Sequence, residues 1–227
     1  MEVSRWIFAK ALVLTVFVLV VIYSINVYIN EKREANLESR MEATIDTLEE
    51  MEALTQLMRM FGENATCVTL KSQLELLDQN IWRLGDKIEL YKRLTEEYMT
   101  DPYYLKQKRR FNRQEVLYLS LLTQVRDKCD IDQTVILYFY RRGEDCKQCD
   151  DQAYVLDHLN KRIDEELAIF SFDSDLNVSS VNVLAEVYGV GEHPCTVIEG
   201  NTYCGLRDKD EIERLLCENS PNVSICN

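Results

Sequence analysis

Thr134-Val-Ile-Leu-Tyr-Phe-Tyr140-Arg-Arg-Gly-Glu-Asp-Cys146-Lys-Gln-Cys149-Asp-Asp-Gln-Ala-Tyr-Val-Leu-Asp-His-Leu159 changes period partway along. The run Thr134 to Tyr140 is β-branched or aromatic except for Leu137, which suits a strand buried on both faces. After the loop Arg141 to Asp145, the apolar positions Ala153, Val155, Leu156, Leu159 and Ile163 recur at helical spacing. Cys146 and Cys149 therefore sit where a strand gives way to a helix.

Working outward toward the carboxyl end, Leu167 to Phe172 reads as a second strand and Ser180 to Tyr188 as a second helix. Thr196 to Ile198 and Asn201 to Cys204, joined by Glu199-Gly200, read as a hairpin, and Asp208 to Cys217 as a last helix. The pattern is an α/β domain over residues 131–227, with a central mixed sheet flanked by helices on both faces.

Toward the amino end the composition changes. Asp101-Pro102 stops one helix and starts another, because the residue before proline leaves helical geometry while proline suits a first helical turn. Before it, Leu70, Leu74, Leu77, Ile81, Leu84, Ile88, Tyr91 and Tyr98 follow heptad steps, with Thr95 at the missing apolar position and Gly85 as an interior weak point. After it, Tyr103 to Lys128 forms a helix whose Leu117, Leu121, Leu122 and Val125 can pack on its predecessor. Its basic cluster Lys106, Lys108, Arg109, Arg110 and Arg113 reads as a solvated face. Further upstream, Leu37, Met41, Leu48, Met51, Leu54, Met58 and Phe61 mark an apolar helical stripe that Gly62 ends. Residues 31–130 are thus a helical coiled-coil or hairpin region, which can pair within the chain, with a partner helix or in a homo-oligomer.

Trp6 to Tyr28 is apolar over the length that a helix needs to cross a bilayer. Ile25-Asn-Val-Tyr-Ile-Asn30 offers no small-residue cleavage site, so residues 1–30 are expected to be an uncleaved transmembrane signal anchor. Arg5 and Lys10 on one side are balanced by Lys32, Arg33 and Arg40 on the other, so charge does not fix the orientation. Cysteine usage does: all 8 cysteines lie carboxyl-terminal to the anchor, which suits a disulfide-permissive compartment. The C-terminal domain is therefore expected outside the cytoplasm, in the cell envelope or the secretory-pathway lumen. Glycosylation-type triplets begin at Asn64, Asn177 and Asn222 and add little. The formal charge of −13 repels phosphate backbones, so nucleic acid is not an expected partner.

Three cysteine pairs are expected to be structural bridges. Cys67 and Cys129 lie at the ends of two helices remote from the Asp101-Pro102 turn, Cys195 and Cys204 face each other across the hairpin, and Cys217 and Cys226 can tie down the tail.

Cys146-Lys-Gln-Cys149 after the first strand, with Tyr188-Gly-Val-Gly-Glu-His-Pro194-Cys-Thr-Val-Ile198 and Glu199-Gly-Asn-Thr-Tyr-Cys-Gly205 downstream, resembles the thioredoxin-like superfamily. The resemblance covers roughly Gln133 to Glu218. It implies that Cys146 is the nucleophile, at the amino end of a helix that favours its thiolate, and that Cys149 resolves the mixed disulfide. It also implies that Pro194 is a cis-proline docking substrate, with His193 beside it. Two departures stand out: Asp145 replaces the usual tryptophan, and the strand Thr134 to Tyr140 lacks the buried carboxylate that moves the second cysteine's proton. Glu144, Asp145, Asp150 and Asp151 oppose a thiolate, while Arg141, Arg142 and Lys147 favour one.

The resulting expectation is a membrane-anchored, extracytoplasmic thiol–disulfide oxidoreductase acting on protein thiols and disulfides, with no cofactor and no metal. The competing reading is a non-catalytic thioredoxin-like scaffold on a coiled-coil stalk, with Cys146–Cys149 permanently oxidised. A metal site would have to add Cys195, Cys204 or His193 to the pair. His158 reads as a surface residue.

Overall fold

The computed structural model describes residues 5–94, 97–129, 131–163 and 166–226. The stripe positions Leu37, Met41, Leu48, Met51 and Met58, the heptad position Thr95, Asn64 of the first triplet and the charges Lys32, Arg33, Arg40 and Glu144 lie outside the residues whose side chains are described. The chain divides into two compact units, Met1–Met60 and Phe61–Asn227.

In the first unit helix α1 runs from Arg5 to Phe61. It stops at Gly62, whose φ of 61° gives the left-handed conformation that commonly closes a helix. Among the described residues, no helix is long and apolar enough to cross a membrane. The expected span Trp6 to Tyr28 is described at side-chain level only for Lys10 and from Leu12 onward.

The second unit opens with α2 (Glu63–Leu94) and α3 (Pro102–Cys129). Asp101 caps α3 by accepting from the Tyr104 N–H at 2.9 Å, and Pro102 takes the first helical position, where no N–H is needed. Heptad residues Leu70, Leu84 and Ile88 are buried, and α2 and α3 are bridged at their far ends by the Cys67–Cys129 disulfide, with a Cα–Cα distance of 5.4 Å. The two helices form an intramolecular hairpin. Helix α2 ends at Leu94, before the Asp101-Pro102 stop read from sequence. Tyr98 instead sits in a short 3-10 turn and packs edge-on against Tyr104, ring centroids 4.9 Å apart. An apolar residue at a heptad step thus fills the hairpin corner without being helical.

Gly85 has a specific neighbour in this hairpin: a Cβ added there would meet Phe111 Cε2 at 3.4 Å, an ordinary van der Waals contact. Gly85→Ala is therefore expected to raise stability by about 0.5–1 kcal/mol through helix propensity. Chemical denaturation would show it as a higher midpoint with an unchanged slope.

The sheet follows as β1 (Thr134–Tyr140), α4 (Cys149–Ile163), β2 (Leu167–Asp173), α5 (Ser179–Val187), β3 (Cys195–Ile198), β4 (Asn201–Cys204) and α6 (Lys209–Asn219). Its order is β2-β1-β3-β4, with β2 parallel to β1 and both β3 pairings antiparallel. The β3–β4 turn uses Glu199 at φ 45° and Gly200 at φ 85°, the double left-handed geometry of a tight hairpin.

Alternation along β1 divides the core. Val135, Leu137 and Phe139 face one side with Phe170, Phe172 and Val197; Ile136 and Tyr138 face the other with Ile198. Helices α4 and α6 cover the second side through Leu156, Leu159, Ile212 and Leu216. The first side is closed by the nine-residue α5 together with Leu119 and Leu122 of α3. A boundary at residue 130 expected from composition is therefore displaced: α3 belongs to the hairpin and to the core of the sheet domain alike.

Candidate active site

The site forms where β1 ends. Strand β1 gives way to a 3-10 turn at Gly143–Asp145, whose last bond runs from Cys146 N–H to Gly143 C=O at 3.2 Å. Cys146, Lys147 and Gln148 precede α4, which begins at Cys149, and its first bond runs from Gln152 N–H to Gln148 C=O. Cys146 is therefore three residues ahead of the helix, where the sequence reading put it at the helix's first turn. The helix field falls off within one turn, and Asp150 and Asp151 already occupy that first turn. Thiolate stabilisation from this source is correspondingly weaker than the sequence suggests.

Cys146 and Cys149 are joined in a disulfide with a Cα–Cα distance of 5.4 Å. Cys146 is 8% exposed and Cys149 2%, so the first cysteine is the one nearer solvent. Cys149 is held from below: Tyr138 Oη donates to its carbonyl at 2.6 Å, and the Arg141 N–H reaches its Sγ at 3.5 Å. Burial, reinforced by Tyr140 and Asp150, pushes the Tyr138 phenol well above its usual range, so it remains a donor. Its role was hidden in the sequence, because in a strand of this composition it reads simply as core.

The loop after β1 is pinned by acids from the end of β2. Asp173, buried and opposite Tyr140 in the register, lies 3.0 Å from Arg142 Nε, an ion pair whose geometry falls short of a hydrogen bond. Desolvation raises the Asp173 carboxyl and the Arg142 charge partly offsets this. Asp175 Oδ2 accepts from the Arg142 N–H at 2.7 Å. Both arginines counted as thiolate-favouring are thus engaged by carboxylates, since Arg141 Nε also lies 3.9 Å from Asp175.

The His193–Pro194 peptide is cis. Because Cys195 pairs with Phe139 in an antiparallel register, the preceding Pro194 lies at the end of β1 from which the chain runs on to Cys146. The Pro194 carbonyl accepts from Gly205 N–H at 2.8 Å. His193 Nε2 lies 2.8 Å from Ser174 Oγ; burial, and then Arg141, hold its imidazole below the usual range, so it is mainly neutral at neutral pH.

The remaining cysteines lie elsewhere. Cys195 and Cys204 are bonded directly across β3–β4, in the core on the α3/α5 side of the sheet, opposite the face that α4 covers. Cys217 and Cys226 join α6 to the tail, beside the buried Val223. A metal centre built from the CxxC pair and Cys195 would need sulfurs on two sides of the sheet. No cluster of His, Cys, Asp or Glu suited to a metal ion occurs among the described residues. His158 is exposed on α4.

A second buried carboxylate lies on α3. Glu115, 5% exposed, accepts from Ser171 N–H at 3.0 Å and from Asn112 Nδ2 at 2.8 Å. Burial raises its carboxyl to about 7, against the opposing effect of those two donors and Lys108. The folded state therefore holds a proton that the unfolded chain releases near the ordinary value of 4.5. Its stabilising effect is complete below that value and is lost as pH rises through about 7. Unfolding free energy is expected to fall by about 3 kcal/mol between about pH 5 and pH 8 from this group, and Glu115→Gln to flatten that slope. Denaturant titrations of both proteins across this range measure it.

No known family profile matches the sequence, and no curated protein does. Among solved structures, a single-site mutant of a thioredoxin from Halobacterium salinarum is 26% identical, with 44% of this chain and 84% of that one covered and a TM-score of 0.34. Malaria-parasite thioredoxin-2 is 20% identical over 38% of this chain and 82% of its own, TM-score 0.33. Chloroplastic thioredoxin z is 18% identical over 41% and 83%, TM-score 0.34. The chain's own topology is more direct: a β2-β1-β3-β4 mixed sheet between two helical layers, a CxxC disulfide between β1 and α4, and a cis-proline ahead of β3. On that topology, the stretch from Thr134 to Asn219 has a thioredoxin-like fold.

Proposed function

We propose that this chain is a thiol–disulfide oxidoreductase that exchanges disulfides with other proteins through Cys146 and Cys149. The observation that carries the reading is the placement of a CxxC disulfide and a cis-proline at the same end of the sheet, with Cys146 the more exposed cysteine. A substrate thiolate attacks Cys146 Sγ, forming a mixed disulfide while Cys149 leaves as a thiolate. A second substrate thiolate then attacks the substrate sulfur of that bond, releasing Cys146 as a thiolate. Two electrons pass from substrate to enzyme, and the reverse sequence reduces a substrate disulfide. His193 and Pro194 line the ledge on which an extended substrate segment docks.

The same reading places the enzyme at a membrane, with α1 as its anchor and the second unit outside the cytoplasm. Support comes from the uncharged run 12–28, whose apolar side chains, among them Leu12, Leu14, Phe17 and Leu19, are largely exposed along α1. The described cysteines are all in disulfides, as suits an oxidising compartment. Measuring the full-length protein's reduction of a model protein disulfide and oxidation of a reduced one, with the reduction potential of the Cys146–Cys149 couple, tests the proposal. Turnover in neither direction would favour a scaffold with a static bridge.

A further inference from the structure

Strand β2 is an edge of the sheet, and only part of that edge is protected. Ser171 N–H and C=O point away from β1, since they bond to Glu115 Oε1 and Asn112 Nδ2 of α3, and Asp173 N–H likewise bonds to Asn112 Oδ1. Backbone groups alternate along a strand, so those of Leu167 and Ile169 point the same way. No side chain or backbone group among the described residues is seen bonding the outward N–H and C=O of Ile169. An unprotected edge of this kind is a template for another strand.

That bare half faces a cavity of about 510 Å³, walled by α2 on the far side and by β2 and Phe111 on the near side. Its volume is in the range of functional clefts. Four carboxylates line it, Asp78, Asp86 and Glu89 from α2 and Glu115 from α3, and its described lining contains no lysine or arginine. Trp82, 68% exposed, stands at the same wall and hydrogen-bonds Asp78, whose carboxyl burial raises. A cation beside Asp78 would relieve that cost. A second copy of this chain is a poor occupant, because its own net charge of −13 repels this wall.

We infer that the groove between α2 and the open half of β2 binds an extended, lysine- or arginine-bearing segment of a partner protein, which adds a strand beside Leu167–Ile169. Main-chain bonds to Ile169 supply the register, and the α2 carboxylates supply the preference for basic side chains. The site lies at the opposite edge of the sheet from β4 and requires neither Cys146 nor Cys149.

The test uses the full-length chain in non-ionic detergent and a fluorescein-labelled, end-blocked peptide of about six residues alternating valine and lysine, a usual strand length. Anisotropy is expected to show saturable binding, weakened at least about tenfold when glutamate replaces each lysine or when the peptide is N-methylated on alternate residues. Ile169→Pro removes an outward N–H, which an edge strand tolerates, along with a side chain packed at the margin of the α4/α6 core, and is expected to abolish binding. Asp86→Lys, on the exposed surface of α2, is expected to weaken it about tenfold without touching the sheet. Absence of saturable binding at about 1 mM peptide overturns the inference. So does equal binding of the glutamate peptide, or binding unchanged in both variants. Cys146–Cys149 turnover, measured in parallel, is expected to be unaffected by either substitution.

Discussion

Cys146→Ser is expected to reduce disulfide exchange to background, a loss of about a thousandfold or more, while Cys149→Ser, whose Cys146 thiolate attacks a partner's disulfide and displaces one of its sulfurs as a thiolate, accumulates mixed disulfides that only added dithiol releases. The asymmetry follows from exposure and order: Cys146 is nearer solvent, and Cys149 is held beneath it by Tyr138 and the Arg141 N–H. With Cys149 present, the mixed disulfide on Cys146 is resolved from within. Without it, the bond persists. Non-reducing gels and mass spectrometry of the trapped species distinguish the two variants. If Cys149→Ser traps nothing and Cys146→Ser retains turnover, the exchange reading fails and the static bridge remains.

Replacing Cys67 and Cys129 together by serine should cost about 4 kcal/mol of stability while leaving turnover unchanged. Their bridge spans a sequence separation of 62, and the chain-entropy relation for a loop of that length gives a loss of this size. For a chain of this length the midpoint of thermal unfolding should fall by about 8–16 °C. Activity should survive because Cys129 precedes β1, whereas Cys146 follows it, and seven strand residues separate the two ends by about 20 Å. A loss below about 1 kcal/mol would show that hairpin packing alone, through Leu70, Leu84 and Ile88, holds the two helices together.

The strands were legible because β-branched runs and the Glu199-Gly200 turn leave few alternatives, and β1 spans Thr134 to Tyr140 as the residue pattern indicates. The two-residue turn also sets the register that puts Cys195 opposite Cys204. Three features were not legible. The start of α4 at Cys149 depends on where the 3-10 turn before it runs out, which no residue preference marks. The corner at Tyr98 imitates a heptad position. Most consequentially, α3 carries apolar residues on two faces, Tyr104 toward the hairpin and Leu119 and Leu122 toward the sheet. Heptad arithmetic detects only one stripe, and the composition shift near Gln133 suggested a boundary where the core is in fact continuous. The polar anchors of the site, Tyr138 and Asp173, were invisible for a related reason: they serve strand packing and the loop's electrostatics at once.

Because α3 supplies one wall of the sheet domain, the redox module cannot be lifted out of this protein at the point where its resemblance to other domains begins. A fragment starting near residue 131 would bare Leu137, Phe139, Phe170 and Phe172 to water and clump rather than fold, whatever the state of its sulfurs. Any recombination event that carried the chemistry to a new host would have to bring the hairpin along as cargo.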